Sequence, residues 1–401
     1  MSFIGTLPII PSTQTGPRPK TAAKPQPGPW LRQPEGNNGF SFDPAALTKA
    51  SHGVYSHKTM VAPKGQSVPA KAGSIPIRST DDGIHLSNSI LWFDSKVNGQ
   101  LSFVSSAEIQ MKVKVPQIIT TEETLKILAA QKNAPHTHNA LVCQYNRPFS
   151  IGRLRMELLP SGGILGGASL YVETEQGRLL YAPYLQTQKS GTVRQMQLKK
   201  AHTLILNAYH PDPNQALPNR KKERERFIEA VKSTLKNGQC PTILCRPAAI
   251  AQELTKILSD EGIPVAVHPK IHRINKVYEA CGSPLGKYTP YSARSAHRNK
   301  PVIWPAPTKP GHFRARLPEG PVFLIEQTSG EAQLSPSMKR NVERFYFSNA
   351  CDGVELREVI AAVGPKELYF TGPYAKRYVE EMKTLCPKVR PLFQNDQPTL
   401  F

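Results

Sequence analysis

The chain has 401 residues, 39% of them hydrophobic and 20% charged, an ordinary composition for a globular protein of one or two domains. Lys and Arg number 51 against 30 Asp and Glu, so the formal net charge is +21 at pH 7 and the chain attracts polyanions, nucleic acid before anionic membrane. There is neither an apolar run of spanning length nor a basic segment ahead of an apolar N-terminal stretch. We therefore expect a cytoplasmic, nucleoid-associated protein that does not bind membrane.

Residues 1–80 are predicted to form a disordered basic arm. They hold 12 of the 38 prolines and nine Lys or Arg against Glu35 and Asp43, with almost no periodic apolar pattern. Such a segment cannot bury enough apolar surface to offset the entropy of ordering it.

From residue 81 onward, short apolar runs rich in β-branched and aromatic residues predict strands. One helix is predicted at Thr121–Lys132, where apolar residues recur at helical spacing. The predicted strands of this part are Ser89–Phe93, Leu101–Val104, Arg153–Leu159, Ala168–Glu173, Arg178–Tyr181 and Leu204–Leu206.

Strands and helices alternate after residue 208, which predicts a small parallel α/β layer. The alternation runs through the helix Lys221–Lys236, the strand Thr242–Cys245, the helix Ala248–Glu261 and the strand Pro264–Val267, followed by a basic, Pro-rich stretch to Pro310. The strand Val322–Glu326, the helix Val354–Val363, the strand Glu367–Thr371 and the helix Ala375–Leu385 are predicted beyond it.

The cysteines form no CxxC pair, so neither a zinc ribbon nor a disulfide framework is predicted. We expect reduced and mostly buried thiols, because free cysteine packs as a small hydrophobic residue. The six are Cys143, Cys240, Cys245, Cys281, Cys351 and Cys386.

The segment Leu158–Tyr184 contains a Gly-rich turn, a hairpin and an Ala-Pro-Tyr. It resembles the metallo-β-lactamase nucleases with a β-CASP insertion, in which Gly-His-x-Leu-Gly-Ser is followed by a hairpin and Gly-Asp-Tyr. Gly163 and Pro183 stand where that family has a His and an Asp that bind metal. Bacterial ligase-associated DNA exonuclease is the most similar member, with the RNA 3′-end-processing nucleases next.

Four more segments resemble motifs of the same family in the same order. Phe103–Met111 is similar to its Ser-His-x-His-x-Asp-His loop, Leu204–Tyr209 to a strand that ends in an acid, Ser348–Asp352 to Ser-Asp-His-Ala-Asp, and Tyr369–Gly372 to a strand that ends in His-Gly. The family's functional positions are occupied here by Ser106, Glu108, Gln110, Met111, Asn207, Ala350, Asp352 and Thr371.

The segment Phe227–Leu254 also follows the helix, Gly, strand and helix of the β-CASP insertion, and Gln252–Leu254 matches the end of its Gly-Arg-x-Gln-Glu-Leu. The resemblance implies an α/β fold, an αββα sandwich with an inserted β-CASP domain. It divides the chain into the arm 1–80, a core at 81–207 and 346–390, the insertion 208–345 and a tail 391–401.

A hydrolase of this family holds two cations with imidazole and carboxylate ligands, and most of these ligands are missing here. We therefore expect no catalytic residues, no metal and no cofactor. The alternative is an active exonuclease with a displaced Zn or Mn site. His136 and His138 form the only His-x-His pair, and are either ligands on one side of a strand or two solvated loop residues.

Two basic clusters are candidates for binding nucleic acid, DNA or RNA. The first opens the helix of the insertion, and the second is interleaved with Tyr288, Tyr291, Trp304 and Phe313, a pattern that suits single strands because bases stack on aromatic rings. The alternative is a solvated charged face above core aromatic residues. The candidates are Arg220, Lys221, Lys222, Arg224, Arg226, Lys287, Arg294, Arg298, Arg314 and Arg316.

The C-terminal pentapeptide, Gln397–Phe401, reads QPTLF. It resembles the peptide by which bacterial proteins dock on the DNA sliding clamp, with Gln397, Leu400 and Phe401 as the contact residues. The alternative is a terminus that packs against the protein.

Three functions remain open from the sequence. The first is a degenerate, nucleic-acid-binding scaffold of bacterial DNA repair or replication, with the clamp, DNA ligase or a helicase as partner. The second is an active nuclease with a displaced site, and the third is the inactive partner of a paralogous nuclease.

Overall fold

The computed structural model describes residues 73–80, 82–96, 99–108, 113–135, 137, 139–292, 300–307, 317–327 and 342–392. All of them belong to one compact unit. Within these ranges, no helix is long and apolar enough to cross a membrane.

Nineteen strands and six helices are found in the described ranges. The strands are β1 Ile77–Thr80, β2 Gly83–Leu86, β3 Leu91–Phe93, β4 Leu101–Phe103, β5 Gln117–Thr120, β6 Asn139–Val142, β7 Phe149–Ile151, β8 Leu154–Pro160, β9 Ala168–Thr174, β10 Gly177–Ala182, β11 Thr203–Asn207, β12 Thr242–Cys245, β13 Val265–Val267, β14 Tyr288–Pro290, β15 Val302–Pro305, β16 Val322–Glu326, β17 Val342–Tyr346, β18 Glu367–Thr371 and β19 Lys388–Pro391. The helices are α1 Glu122–Ala130, α2 Arg220–Lys236, α3 Ile250–Asp260, α4 Pro269–Ala280, α5 Gly353–Val363 and α6 Ala375–Met382. The predicted α/β fold is confirmed.

Two mixed sheets pack face to face. The first has the order β1-β2-β3-β4-β5-β6, and the second has the order β19-β18-β11-β10-β9-β8-β7. Phe93 and Phe103 of the first sheet pack against Tyr181 of the second within one apolar core. Helices α5 and α6 cover the other face of the second sheet, and α1 covers the other face of the first, so the layers are helix, sheet, sheet, helix.

A third sheet is formed by the chain between β11 and β18, which are themselves neighbours in the second sheet. Its order is β14-β13-β15-β12-β16-β17, and every pair is parallel. Parallel strands need crossover connections that cover the sheet faces. Helices α2 and α3 supply part of this cover, because Phe227 and Leu254 share an apolar core with the strands.

Helix α4 links the third-sheet segment to the first two sheets. Ile274 and Tyr278 of α4 share an apolar core with Ile127 and Leu128 of α1. The Tyr278 hydroxyl also accepts a hydrogen bond from the Leu165 N–H at 3.2 Å. The segment is therefore held by packing as well as by its two connections.

Helix α4 corrects the sequence prediction, because it lies in the stretch up to Pro310 for which the composition predicts only a basic, Pro-rich segment. Pro269 stands at the start of the helix, where its missing N–H costs nothing, and His268 caps it. The buried positions, Ile271, Ile274 and Tyr278, have helical spacing that the surrounding Lys and Arg obscured.

Both ends of the described chain also correct the predicted boundaries. Strand β1 lies inside the arm predicted over 1–80, because Ile77–Thr80 pairs antiparallel with β2 across a tight turn. Strand β19 pairs with β18, and Leu392 after it is buried, so the predicted tail begins two residues too early. Residues 1–72 and 393–401 lie outside the described ranges.

We expect Tyr278→Phe to lower the free energy of unfolding by about 1–3 kcal/mol, because the Leu165 N–H loses its acceptor. Denaturant unfolding measures the change. Tyr374→Phe is the matched control, since the hydroxyl of Tyr374 has no hydrogen bond among the described residues, and it should shift the transition by less than the experimental error. Equal stability of the Tyr278 and Tyr374 variants would contradict this role.

Candidate functional site

The loops that follow β4, β11, β17 and β18 meet at one edge of the sheets, and we call them the strand-end loops. The Asn349 side chain, after β17, donates from Nδ2 to Glu108 Oε1, after β4, at 2.6 Å. The Ala208 N–H, after β11, donates to the Thr371 carbonyl at the end of β18 at 2.8 Å. These loops carry the positions at which the family resemblance implies metal ligands.

Glu108 is the charged centre of the strand-end loops. Its side chain is 8% exposed, and Oε2 lies 3.7 Å from Arg246 Nη1. Arg246 directly follows β12 of the third sheet, and its guanidinium lies 5.6 Å from the centre of the Tyr209 ring. We call Glu108, Arg246 and Asn349 the Glu108 network. It joins the third-sheet segment to the first sheet.

Backbone fills the space in which a side chain at position 163 would lie. A Cβ built on Gly163 would collide with the Asn349 carbonyl oxygen. In the same way, a Cβ on Gly372 would collide with Asn207 Oδ1, a buried oxygen that has no hydrogen-bond partner among the described residues. An imidazole at position 163 therefore does not fit without movement of the 348–352 segment.

The acid that matches the family, Asp352, has a structural role. It caps α5: Oδ1 accepts from the Glu355 N–H at 2.8 Å, and the Glu355 side chain accepts from the Asp352 N–H at 3.0 Å. Oδ2 accepts from the Leu217 N–H at 2.7 Å. Both carboxylate oxygens already have donors, as in a capping box with one additional bond.

The remaining ligand positions carry no strong metal donor. Ser106 accepts from the Glu108 N–H at 3.1 Å, and the Thr371 hydroxyl donates to the Leu206 carbonyl at 3.3 Å. Ala350 is buried. Gln110 and Met111 lie outside the described residues.

A two-metal centre does not fit this set of side chains. A catalytic zinc ion needs about three imidazole, thiolate or carboxylate ligands. In the part of the chain that the structure describes, no three His, Cys, Asp or Glu side chains come close enough to supply them. The two carboxylates present, Glu108 and Asp352, are bound by internal donors. We derive no reaction step through metal here.

Asp94, directly after β3, was missed by the sequence analysis and positions the Glu108 loop. Oδ1 accepts from the Ser105 N–H at 2.8 Å, and Oδ2 accepts from the Ser105 hydroxyl at 2.6 Å and the Tyr181 hydroxyl at 2.8 Å. Burial raises the pKa of Asp94, although these hydrogen bonds oppose the shift. An acid directly after an apolar strand is the signal that would have found it.

His210 is a second buried polar residue at the strand-end loops. Its Nε2 lies 3.3 Å from Ser348 Oγ and 3.4 Å from the Ala350 carbonyl oxygen. His210 lines a cavity of about 310 Å³ together with Asp212, Leu217 and Tyr346. Its ring is thus held within the protein, as expected for a satisfied histidine.

Two of the arginines that are predicted to bind phosphate instead pair with carboxylates of this chain. Arg220 forms a bidentate pair with the buried Glu253 and also donates to the Ser348 carbonyl. Arg226 pairs with Glu223 and lies 4.1 Å from the centre of the Phe345 ring. A buried carboxylate is costly without a counter-charge. Binding of nucleic acid by Arg220 and Arg226 stays a prediction, and the paired Arg226 side chain is still 45% exposed.

The other residues predicted to contact nucleic acid differ in their exposure. Lys221 and Lys222, in the first turn of α2, and Lys287 are exposed, and Arg224 is half-buried. Trp304 is 8% exposed and packs in an apolar core, so its ring does not present a stacking face. The other predicted residues, Arg294, Arg298, Arg314, Arg316, Gln397, Leu400, Phe401, His136 and His138, lie outside the described ranges.

No protein-family model matches the chain. It is 21% identical over 304 residues to a protein named probable DNA ligase from Opitutus terrae, covering 75% of this chain and 29% of that protein. It is 25% identical over 148 residues to an RNase J-like protein from Methanocaldococcus jannaschii, covering 35% of each. The chain spans about a third of the length of these relatives, one of which is named as a probable DNA ligase and the other as RNase J-like.

A solved structure shares the fold. It is a protein of unknown function from Enterococcus faecalis V583, with a TM-score of 0.51 and 13% identity, covering 73% of this chain and 79% of that one.

We expect Glu108→Ala to lower the free energy of unfolding by about 1–3 kcal/mol, because Asn349 loses a charged acceptor in a buried site and Arg246 loses its counter-charge. Chemical denaturation measures the loss. Glu225→Ala on the exposed side of α2 is the matched control and should have little effect. Similar stability of both variants would show that the Glu108 network contributes nothing.

Proposed function

We propose that the chain is a catalytically degenerate metallo-β-lactamase protein with a β-CASP insertion, which binds nucleic acid as a scaffold or accessory subunit of DNA repair or replication. Two features of the fold support this. The layers are helix, sheet, sheet, helix, and the parallel third sheet is inserted between the neighbouring strands β11 and β18. The relatives named DNA ligase and RNase J-like support a nucleic-acid function.

The observation that carries the proposal is the Glu108 network. Where the family would place cations between carboxylates and imidazoles, Glu108 instead meets the Arg246 guanidinium and the Asn349 amide. A guanidinium is a permanent cation and neutralises a carboxylate without any metal. The Asn349 carbonyl beside Gly163 occupies the space of a further ligand. The edge thus serves the stability of the fold.

The charge of the chain supports binding of nucleic acid. At +21 it attracts phosphate backbones. Lys221 and Lys222 are exposed beside Arg220, which itself reaches the Ser348 carbonyl in the strand-end loops. Lys221 and Lys222 thus directly follow a residue that contacts the edge at which the family binds its substrate. DNA and RNA are both candidates, because the relatives' names include each.

Partner recruitment is a further part of the proposal. The C-terminal QPTLF, with Gln397, Leu400 and Phe401, would bind the sliding clamp, and DNA ligase or a helicase would be a second partner. The relative named probable DNA ligase favours the ligase.

The test measures binding of labelled single-stranded and duplex oligonucleotides by fluorescence anisotropy over a series of salt concentrations. We expect Lys221→Ala/Lys222→Ala to weaken binding and to reduce the slope of log K against log salt by about 1–2. The slope falls because binding releases fewer counterions when fewer phosphates are neutralised. Lys232→Ala/Lys236→Ala, near the other end of α2, removes the same charge and should change the slope less.

Two results would overturn the proposal. One is the absence of binding at low salt, and the other is cleavage of the same oligonucleotides stimulated by Mn²⁺ or Zn²⁺. Cleavage would favour the displaced-site nuclease, and His136 and His138 would be the first residues to replace.

A further inference from the structure

Three basic side chains lie side by side at the N-terminal ends of β10, β11 and β18. Leu179 is paired with Thr203, and Thr203 with Glu367, so the preceding residues Arg178, His202 and Lys366 occupy one register position. Backbone hydrogen bonds of 2.8 Å confirm it, from the His202 N–H to the Arg178 carbonyl and from the Lys366 N–H to the His202 carbonyl. Neighbouring strands are about 4.8 Å apart. We call these three residues the cationic row.

All three side chains are on the same face of the second sheet. Side chains alternate along a strand, and Leu180, Leu204 and Leu368, two positions further along each strand, share the core beneath α5 and α6. The cationic row continues this face beyond the covered region. Its outer members, Arg178 and Lys366, are exposed, and His202 is half-buried.

The cationic row is only partly neutralised by acids. Glu173 on β9 is the cross-strand partner of Arg178, but it also pairs with Arg155 at 3.6 Å. Glu367, next to Lys366, has its own donors in Lys388 and Ser74. Arg178 lies on β10 and Lys366 directly before β18, so the two cations flank His202 from either side of β11.

The pKa of His202 is lowered by its surroundings. Burial lowers its pKa below the usual value, and the charges of Arg178 and Lys366 lower it further. Nδ1 accepts from the Arg178 N–H at 3.0 Å, so the proton of the neutral ring is on Nε2, which remains a donor. The row thus combines two fixed cations with a hydrogen-bond donor between them.

We propose that Arg178, His202 and Lys366 form a second binding surface for the phosphates of nucleic acid. Phosphate oxygens accept from guanidinium, ammonium and imidazole groups alike, so all three side chains can donate to a phosphate backbone. Lys200, exposed just before β11, extends the surface.

The surface lies at the far end of the second sheet from the strand-end loops. The five residues of β11 separate the two ends by about 17 Å. A strand of nucleic acid is long enough to contact both ends, whereas a single lipid headgroup is not. The inference rests on the proposed function for its ligand, but it uses none of the same residues.

The test compares full-length variants by fluorescence anisotropy with a single-stranded oligonucleotide at low salt. We expect Arg178→Ala/Lys366→Ala to weaken binding about tenfold and to reduce the salt slope by about 1–2. Arg147→Ala/Lys270→Ala removes the same charge from exposed positions elsewhere and should weaken binding about twofold or less. Arg178→Lys/Lys366→Arg keeps the charges and should bind like the unaltered chain.

The outcomes separate this inference from the proposed function. Equal losses in the Arg178/Lys366 and Arg147/Lys270 variants overturn the cationic row as a site. Loss of binding only in the Lys221/Lys222 variant also overturns the cationic row as a site and leaves the proposed function standing. Loss of binding only in the Arg178/Lys366 variant supports the cationic row as the binding surface and counts against the surface at the strand-end loops. Binding of phosphatidylserine vesicles that depends on Arg178 and Lys366, with oligonucleotide binding unchanged, would make the surface a membrane site and overturn the proposal.

Discussion

A buried carboxylate, that of Glu108, is the constraint on which the strand-end loops depend. A charged oxygen with so little exposure is stable only where donors surround it. Its partners both come from the third-sheet segment, because Arg246 follows β12 and Asn349 follows β17. One charge therefore fixes the loop after β4 and ties the third sheet to the first. Asp94, bound to Ser105 and Tyr181, holds the start of the same loop.

Under the proposed function, both the backbone and the side chains of this edge differ from those of a hydrolase site. The Asn349 carbonyl lies where a side chain on Gly163 would project, and Asp352 is committed to the first turn of α5 and to the Leu217 N–H. A histidine at position 163 would have to displace the 348–352 segment, which the Glu108 network holds. Close-packed protein interiors tolerate such an added side chain poorly. Restoring single ligands should therefore not restore a metal centre.

Periodicity and composition predicted the regular elements well wherever apolar residues dominate. Strands β12, β16 and β18 agree with the predicted limits residue for residue, and α1 differs only at its ends. Helix α4 was missed because its buried residues are diluted by Lys, Arg and His. The site was harder to predict. Glu108, Arg246 and Asn349 are far apart in the sequence, and the contacts between them depend on packing between sheets. The cationic row depends on strand order, which no local pattern contains.

The central claim is that internal donors, and not cations, hold the strand-end loops together. Elemental analysis of the purified chain, combined with thermal unfolding in the presence and absence of a chelator, tests it most directly. Our account predicts substoichiometric metal and the same unfolding temperature with and without the chelator. Stoichiometric zinc or manganese, with a lower unfolding temperature once the chelator removes it, would contradict the account.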